Sequence, residues 1–226
     1  MEDIQYLESQ KIILLKWLKG MPSSRKKNIK NILSVNCGNG LLDKEVSKLM
    51  TNLEQYNIIQ SDYTQYSNCI ENLYGDFKFK LSYSELFDYE MENYIKFDLV
   101  IFFDGIDEGN IFMESCINMM NPDGKIWIFT SEHKGIITKI KKELKLNINN
   151  DRTLISKLEK PCKIFNTHIS TYLNINNINT IQLSQLLKKE CSENDLTLFK
   201  NIVSEEFGEF ISVPIAVIIL SEFNKR

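Results

Sequence analysis

Residues 97–103 read FDLVIFF, an apolar run interrupted only by Asp98 near its start. A strand with one wet face alternates apolar and polar residues. An unbroken run suits a strand buried on both faces, the usual state in a parallel sheet covered by helices. Parallel neighbours in turn need helical crossovers, and the rest of the first 131 residues supplies them. NILSVN (31–36), YNIIQSD (56–62), FKFKLS (77–82) and KIWIFT (125–130) are short strand-like segments. LLDKEVSKLM (41–50), YTQYSNCIENLY (63–74) and IFMESCINMM (111–120) carry helical patterns, and NPDG (121–124) reads as a turn. Residues 84–95 read as an acidic, mixed connection. Strands alternating with helices predict an α/β fold with a mostly parallel sheet.

The flanks are less regular. Residues 2–19 place Ile4, Leu7, Ile12, Leu15 and Leu18 at helical spacing, and Gly20, Pro22, Ser23 and Ser24 stop that helix. Arg25, Lys26 and Lys27 then read as a solvated linker. Beyond the last parallel strand, HKGIITKIKKELKLN (133–147) looks like an amphipathic helix, whereas residues 147–180 resist assignment. NTIQLSQLLKKECSEN (179–194) predicts a helix capped by Asn179 or Thr180. LTLFKNIVSEEF (196–207) and FISVPIAVIIL (210–220) read as two closing strands, with Pro214 at a sheet edge or bulge.

At 226 residues and 43% hydrophobic, the chain can bury one good core, so a single domain over 1–226 is expected. Within it, 1–24 would be a helical lid, 30–133 the ligand-binding half and 134–226 the opposite half. Lys and Arg number 27 against 30 Asp and Glu, which makes no electrostatic case for nucleic acid as a partner. No apolar run reaches the roughly 20 residues that span a bilayer, and MEDIQYLESQ lacks a secretory layout. Five scattered cysteines without a C-x-x-C pair read as reduced thiols, not a disulfide frame or zinc site. A cytoplasmic protein without membrane or nucleic-acid partners, monomeric or homodimeric, is the expectation.

The segment ILSVNCGNGLLDKEVSKLM (32–50) runs from a strand through a glycine turn into a helix. Such a turn brings unpaired backbone N–H groups close to a ligand, and Gly38 and Gly40 leave that backbone bare. G-x-G without a third glycine disfavours a dinucleotide. Taken alone, the turn also fits glycines placed for positive φ with no ligand at all. Asp62 follows the next strand, roughly 20 residues on, where a carboxylate can accept both hydroxyls of a ribose. The same Asp62 suits a helix cap, and the two uses are compatible.

Taken together, the glycine turn, the acid after the second strand, FDLVIFFDGID (97–107) and MMNPDGKIWIFTSE (119–132) resemble the class I S-adenosylmethionine-dependent methyltransferases. The resemblance spans residues 30–133. Within that family it is nearest the histamine N-methyltransferase-like small-molecule enzymes, whose loop likewise begins Ile-Leu-Ser. It implies a Rossmann-like seven-stranded sheet, mostly parallel, with helices on both faces and the last strand antiparallel. The implied cofactor is S-adenosyl-L-methionine, with S-adenosyl-L-homocysteine as product. Ser34, Asn36, Gly38 and Gly40 would lie under its methionine end, Asp62 would take the ribose, and Tyr63 would cover one face of the adenine. A residue between Ser82 and Glu85, with Ser82 foremost, would meet the adenine edge, and Phe103 would stand at the end of the fourth strand. Two positions depart from the family pattern. Ser34 replaces an acid, and Asn36 replaces a glycine, although Asn tolerates the left-handed region better than most residues.

Candidate chemistry sits where open α/β sheets bind ligands, beyond the carboxyl ends of the strands. Asp104 could orient an ammonium or take a proton from a methylated amine; a helix cap is its plainer use, with Asp107 and Glu108 facing water. His133 could act as a general base because imidazole titrates near neutrality, though a surface histidine at a helix start fits as well. His168 has a weaker claim. Asp104, Asp107, Glu108, Glu132 and His133 match no ligand spacing, so no metal is expected. Tyr6 and Trp17 on the first helix could touch substrate, while a Leu/Ile stripe there fits plain packing. The leading expectation is methyl transfer to a small molecule, at an amine nitrogen in preference to oxygen. The rivals are a methyltransferase-like binding or scaffold protein without turnover and an enzyme methylating a peptide terminus.

Overall fold

The computed structural model describes residues 8–103, 110–131, 162–169, 172–187, 190–212 and 215–223. Helices α1 (Glu8–Gly20) and α2 (Ser23–Lys27) precede strand β1 (Asn31–Val35). Then come α3 (Leu41–Ser47), β2 (Gln55–Gln60), α4 (Tyr63–Leu73), β3 (Phe79–Tyr83), α5 (Leu86–Glu92), β4 (Phe97–Phe102), α6 (Asn110–Asn118) and β5 (Met120–Ser131). The last third contributes β6 (Lys163–Ile169), β7 (Tyr172–Asn174), a 3-10 turn at Ile175–Asn177, α7 (Thr180–Leu187), α8 (Glu193–Phe207), β8 (Phe210–Ser212) and β9 (Ile215–Ser221).

Seven strands form one sheet in the order β3-β2-β1-β4-β5-β9-β6, and β7 pairs with β8 separately. β1, β2, β3, β4 and β5 are mutually parallel. β9 runs antiparallel to both β5 and β6. The expected mostly parallel sheet, closed by an antiparallel final strand with helices on both faces, is what forms.

The pleat sorts side chains into two layers. On one face, Ile32, Tyr56, Ile58, Leu99, Ile101, Trp127, Phe129 and Val217 pack against Leu14 and Leu18 of α1, Leu42 and Val46 of α3, and Cys69 and Leu73 of α4. On the other, Leu33, Ile59, Val100, Phe102, Ile126 and Ile128 meet Leu86 of α5 and Met113 and Ile117 of α6. β4 serves both layers with every residue from Leu99 to Phe102 wholly or nearly wholly buried, which explains its unbroken apolar run. At the opposite end of the sheet, Asp98 ties three strands. Its Oδ2 accepts from the N–H groups of Lys30 (2.8 Å) and Asn31 (3.0 Å), and its Oδ1 accepts from Asn121 Nδ2 at 2.7 Å.

Four expectations change. Residues 86–92, read as a connection, form α5; Leu86 and Tyr89 face inward at helical spacing, a pattern the acidic residues between them mask. The basic trio sits in the short helix α2. Residues 196–207, read as a closing strand, lie in α8. There Ser192 and Asp195 form a reciprocal capping box, and Leu196, Phe199 and Val203 share one buried stripe. The aromatic and β-branched residues suggested a strand, but the helical period and the cap prevailed. Finally, NPDG belongs to β5. Met120 pairs with Phe97 and Lys125 with Leu99, so residues 121–124 bulge out between two paired positions. A Cβ on Gly124 would lie 3.0 Å from the carbonyl oxygens of both Asn121 and Phe97, which is why the bulge closes on glycine. Pro214 and residues 133–147 lie outside the described residues.

Phe129 is fully buried and meets Phe103 (centroids 5.6 Å apart, stacked), Trp17 (6.0 Å, edge-on) and Trp127 (6.4 Å, edge-on). Phe129→Ala should therefore cost about 3–5 kcal/mol, read as a lower urea midpoint. A loss below about 1 kcal/mol would mean that this aromatic cluster does not hold α1 to the sheet.

Candidate functional site

Between β1 and β4 the strand order reverses direction, and the chain leaving β1 enters the turn Asn36–Gly40. Asn36 (φ 49°), Gly38 (φ 73°) and Gly40 (φ 77°) all adopt left-handed backbone. Asn36 extends the ladder through its N–H to Ile59 O at 2.9 Å, and its side-chain oxygen accepts from the Ser61 N–H and hydroxyl, each at 3.3 Å. Asn in place of glycine at 36 is thus accommodated by a local bond to the segment after β2.

The glycines serve a purpose the sequence did not disclose. A Cβ on Gly40 would approach Leu73 Cδ1 to 2.9 Å and Cys69 Sγ to 3.3 Å. The bare face of Gly40 is turned to α4, so this glycine permits close loop–helix packing along with positive φ. The Gly38 carbonyl points inward as well, accepting from Gln60 Nε2 at 2.7 Å and Cys69 Sγ at 2.9 Å. Because C=O and N–H are antiparallel across a trans peptide, the Asn39 N–H faces the other way.

Below the loop is a polar cluster in an otherwise apolar layer. Ser34, Tyr56 and Gln60 alternate onto the same sheet face as Ile32 and Ile58, and each is wholly or almost wholly buried. Asp43 of α3, also buried, accepts from the Tyr56 hydroxyl at 2.7 Å. Burial pushes its carboxyl up to about 6, an effect limited first by the neighbouring Ser34 and then by the Tyr56 hydroxyl and Cys37. Burial likewise raises the Cys37 thiol and the Tyr56 hydroxyl, and the Asp43 charge adds to both. Cys37 and Cys69 Sγ lie 3.8 Å apart. Sequence reasoning overlooked Gln60 and Asp43. Their signals were an amide closing the alternation Tyr56, Ile58, Gln60, and an acid on the inward stripe of α3 beside Leu42 and Val46.

The other sequence-predicted positions divide. Asp62 is the exposed N-cap of α4, its Oδ1 accepting from Gln65 N at 2.8 Å. Tyr63 is 66% exposed, with its ring edge-on to Tyr83 at 5.7 Å. A cavity of about 870 Å3 opens alongside, lined by Ser61, Tyr66, Ser82, Tyr83, Ser84 and Glu85 among others. Asn36, Asp62, Tyr63 and Ser82 therefore gather at the carboxyl ends of β1, β2 and β3. Ser34 is under the loop instead of in the crevice, and Phe103, only 3% exposed, is stacked into the core. Trp17 likewise packs edge-on against Phe129. His168 is placed on β6 opposite Ala216. Asp104, His133, Asp107, Glu108, Glu132 and Tyr6 lie outside the described residues. Among those described, no three His, Cys, Asp or Glu side chains gather as a metal site would require, and no helix is long and apolar enough to cross a membrane.

Two measurements check this arrangement. Gly40→Ala should destabilise by about 2 kcal/mol or more, from positive φ and the clash with α4; adding Leu73→Ala should not recover the loss, since it opens a cavity of its own. A folded-state carboxyl near 6 against 3.8 means that the folded state holds the Asp43 proton more tightly. Its contribution is fully present below pH 3.8 and is lost as pH rises through about 6, a change of about 3 kcal/mol. Urea unfolding across that range should show this decline in the native chain relative to Asp43→Asn. Parallel pH profiles would refute it.

No protein-family model and no curated protein matches the sequence. Solved structures do resemble the fold. YcgJ of Bacillus subtilis superposes with TM-score 0.62 at 8% identity, covering 94% of this chain and 98% of the other. A provisionally named sarcosine dimethylglycine methyltransferase from Galdieria sulphuraria gives 0.59 at 12%, covering 97% and 89%. Coclaurine N-methyltransferase bound to N-methylheliamine and S-adenosylhomocysteine gives 0.56 at 12%, covering 98% and 75%. Structural neighbours of this chain thus include methyltransferases, among them N-methyltransferases in complex with S-adenosylhomocysteine, and what the chain shares with them at these identities is the Rossmann-like methyltransferase fold.

Proposed function

We propose that this chain is a cytoplasmic S-adenosylmethionine-dependent methyltransferase acting on a small molecule, at an amine nitrogen in preference to oxygen. The observation that carries the reading is the turn Asn36–Gly40, with left-handed backbone at three alternate residues, at the switch point of a sheet whose structural neighbours include enzymes crystallised with S-adenosylhomocysteine. Ligands of open α/β sheets bind at such points. The residues present suit the cofactor. An exposed carboxylate with one oxygen left over from its capping bond and exposed tyrosine rings stand on the same side as the turn.

In this reading the backbone at Asn36, Gly38 and Gly40, braced from below by Ser34, holds the methionine end. Asp62 accepts the ribose hydroxyls through its second oxygen, Tyr63 covers the adenine and Ser82 meets its edge. Phe103 supports the end of β4 from within the core. When bound, S-adenosylmethionine supplies an electrophilic methyl group. The protein's task is alignment: it holds a neutral amine in line and gives the proton released afterwards a place to go. Asp104 orients the amine or takes that proton, with His133 as the alternative base. A small amine acceptor of the kind handled by histamine N-methyltransferase-like enzymes agrees with Ile-Leu-Ser at 32–34.

A second reading, a binding protein without turnover, is favoured by one pair of facts. The position where the family carries an acid is Ser34, and β2 ends on Gln60, whose amide is already bonded to Gly38. Calorimetric titration with S-adenosylhomocysteine, followed by detection of methyl consumption across a panel of amines and acids, separates the two. We expect binding, turnover with an amine, about tenfold weaker binding for Asp62→Ala, and a fall in kcat for Asp104→Asn. Binding without turnover would favour the second reading; no binding at millimolar ligand would sink both.

A further inference from the structure

Asp43 is the one carboxylate among the buried polar residues of the described chain, and no cation pairs with it there. One donor completes a bond to it, the Tyr56 hydroxyl of β2 at 2.7 Å, and Ser34 from the end of β1 and Cys37 from the glycine turn lie close enough to favour its charged form. The titratable groups facing it are Tyr56 and Cys37, with Cys69 of α4 behind Cys37. Burial moves both Tyr56 and Cys37 further from ionisation, so the negative charge in this layer is that of Asp43. Yet Asp43 Oδ2 and Ser34 Oγ complete no hydrogen bond, although both residues are 0% exposed. Native chains seldom leave buried polar atoms without partners, and each one calls for a reason beyond packing. Ser34 and Cys37 lie two residues before and one residue after Asn36, where the chain turns left-handed, so whatever holds them sets the loop. A carboxylate accepts at both oxygens, whereas its protonated form spends one as a donor.

We infer that ionised Asp43 is the positioning residue of the Asn36–Gly40 loop, holding Ser34 and Cys37 from below and setting the backbone that receives the cofactor. This rests on the loop being the cofactor site. It places on α3 the charge that Ser34, short and neutral, does not carry. Protonation loosens the loop while it relieves a buried charge, so loop order and global stability respond to acid in opposite directions. A purely structural acid would move both together.

The test is hydrogen–deuterium exchange of the loop amides in the full ligand-free chain at about pH 5 and about pH 7.5, corrected for intrinsic exchange. Titration with S-adenosylhomocysteine follows at both pH values. We expect loop protection and affinity in the native chain to fall about tenfold at the lower pH. Asp43→Asn should be weak at both, and the double variant Ser34→Asp with Asp43→Ser should recover. If Asp43→Asn does not fold, Tyr56→Phe replaces it; losing a donor to the carboxylate should move the midpoint of loop protection to higher pH. Loop protection independent of pH, or Asp43→Asn and Tyr56→Phe profiles that match the native chain, overturns the inference. A native chain that fails to bind S-adenosylhomocysteine removes the proposed function, and the exchange data still decide what Asp43 does.

Discussion

A pleated strand sends successive side chains to opposite faces, and the rest of this molecule depends on that constraint. It makes β4 apolar from Leu99 to Phe102, because both faces are covered by helices. It also carries Ser34, Tyr56 and Gln60 into the layer occupied by α3 and α4. There they meet Asp43, Cys37 and Cys69 and hold up the loop that leaves β1. Tyr56 and Gln60 are bonded beneath the loop, to Asp43 and to the Gly38 carbonyl.

The loop consequently has two sides with different chemistry. Its lower side is crowded, with Gly40 pressed against Leu73 and Cys69, and the Gly38 carbonyl taken by Gln60. Its upper side opens where Asn36, Asp62, Tyr63 and the cavity beside Ser82 share the carboxyl ends of β1, β2 and β3. Burial raises the Asp43 carboxyl to about 6, so its ionised form beneath the loop is expected to lower global stability at neutral pH. Sites that must hold one backbone conformation for a ligand commonly accept that trade.

Much of the fold was legible in local patterns. The apolar run at 97–103 and the alternating helices needed only the periods 2 and 3.6 to be recognised. Helices α5 and α8 were missed for opposite reasons. In α5, acidic residues hide two inward positions; in α8, phenylalanine and β-branched side chains imitate a strand until the Ser192–Asp195 cap is seen. Of the candidate site, the αL-compatible residues 36, 38 and 40 and Asp62 could be read from spacing, whereas Tyr63 was implied by the family resemblance. Asp43 and Gln60 could not, because their meaning arises only when α3 and β2 are packed together.

By itself the sequence determined the class of fold, the parallel core strands and the place where the chain bends from β1 into α3. These follow from side-chain size, polarity and backbone freedom, which act over a few residues at a time. Tertiary structure alone decided that Ser34 and Phe103 turn inward, that Gly40 is empty for the sake of α4 and that a lone carboxylate comes to rest beneath the loop. Those outcomes depend on which faces meet across 9 to 32 positions of chain, from Ser34 to Asp43 and from Cys37 to Cys69. No short-range pattern encodes the distance at which such faces close.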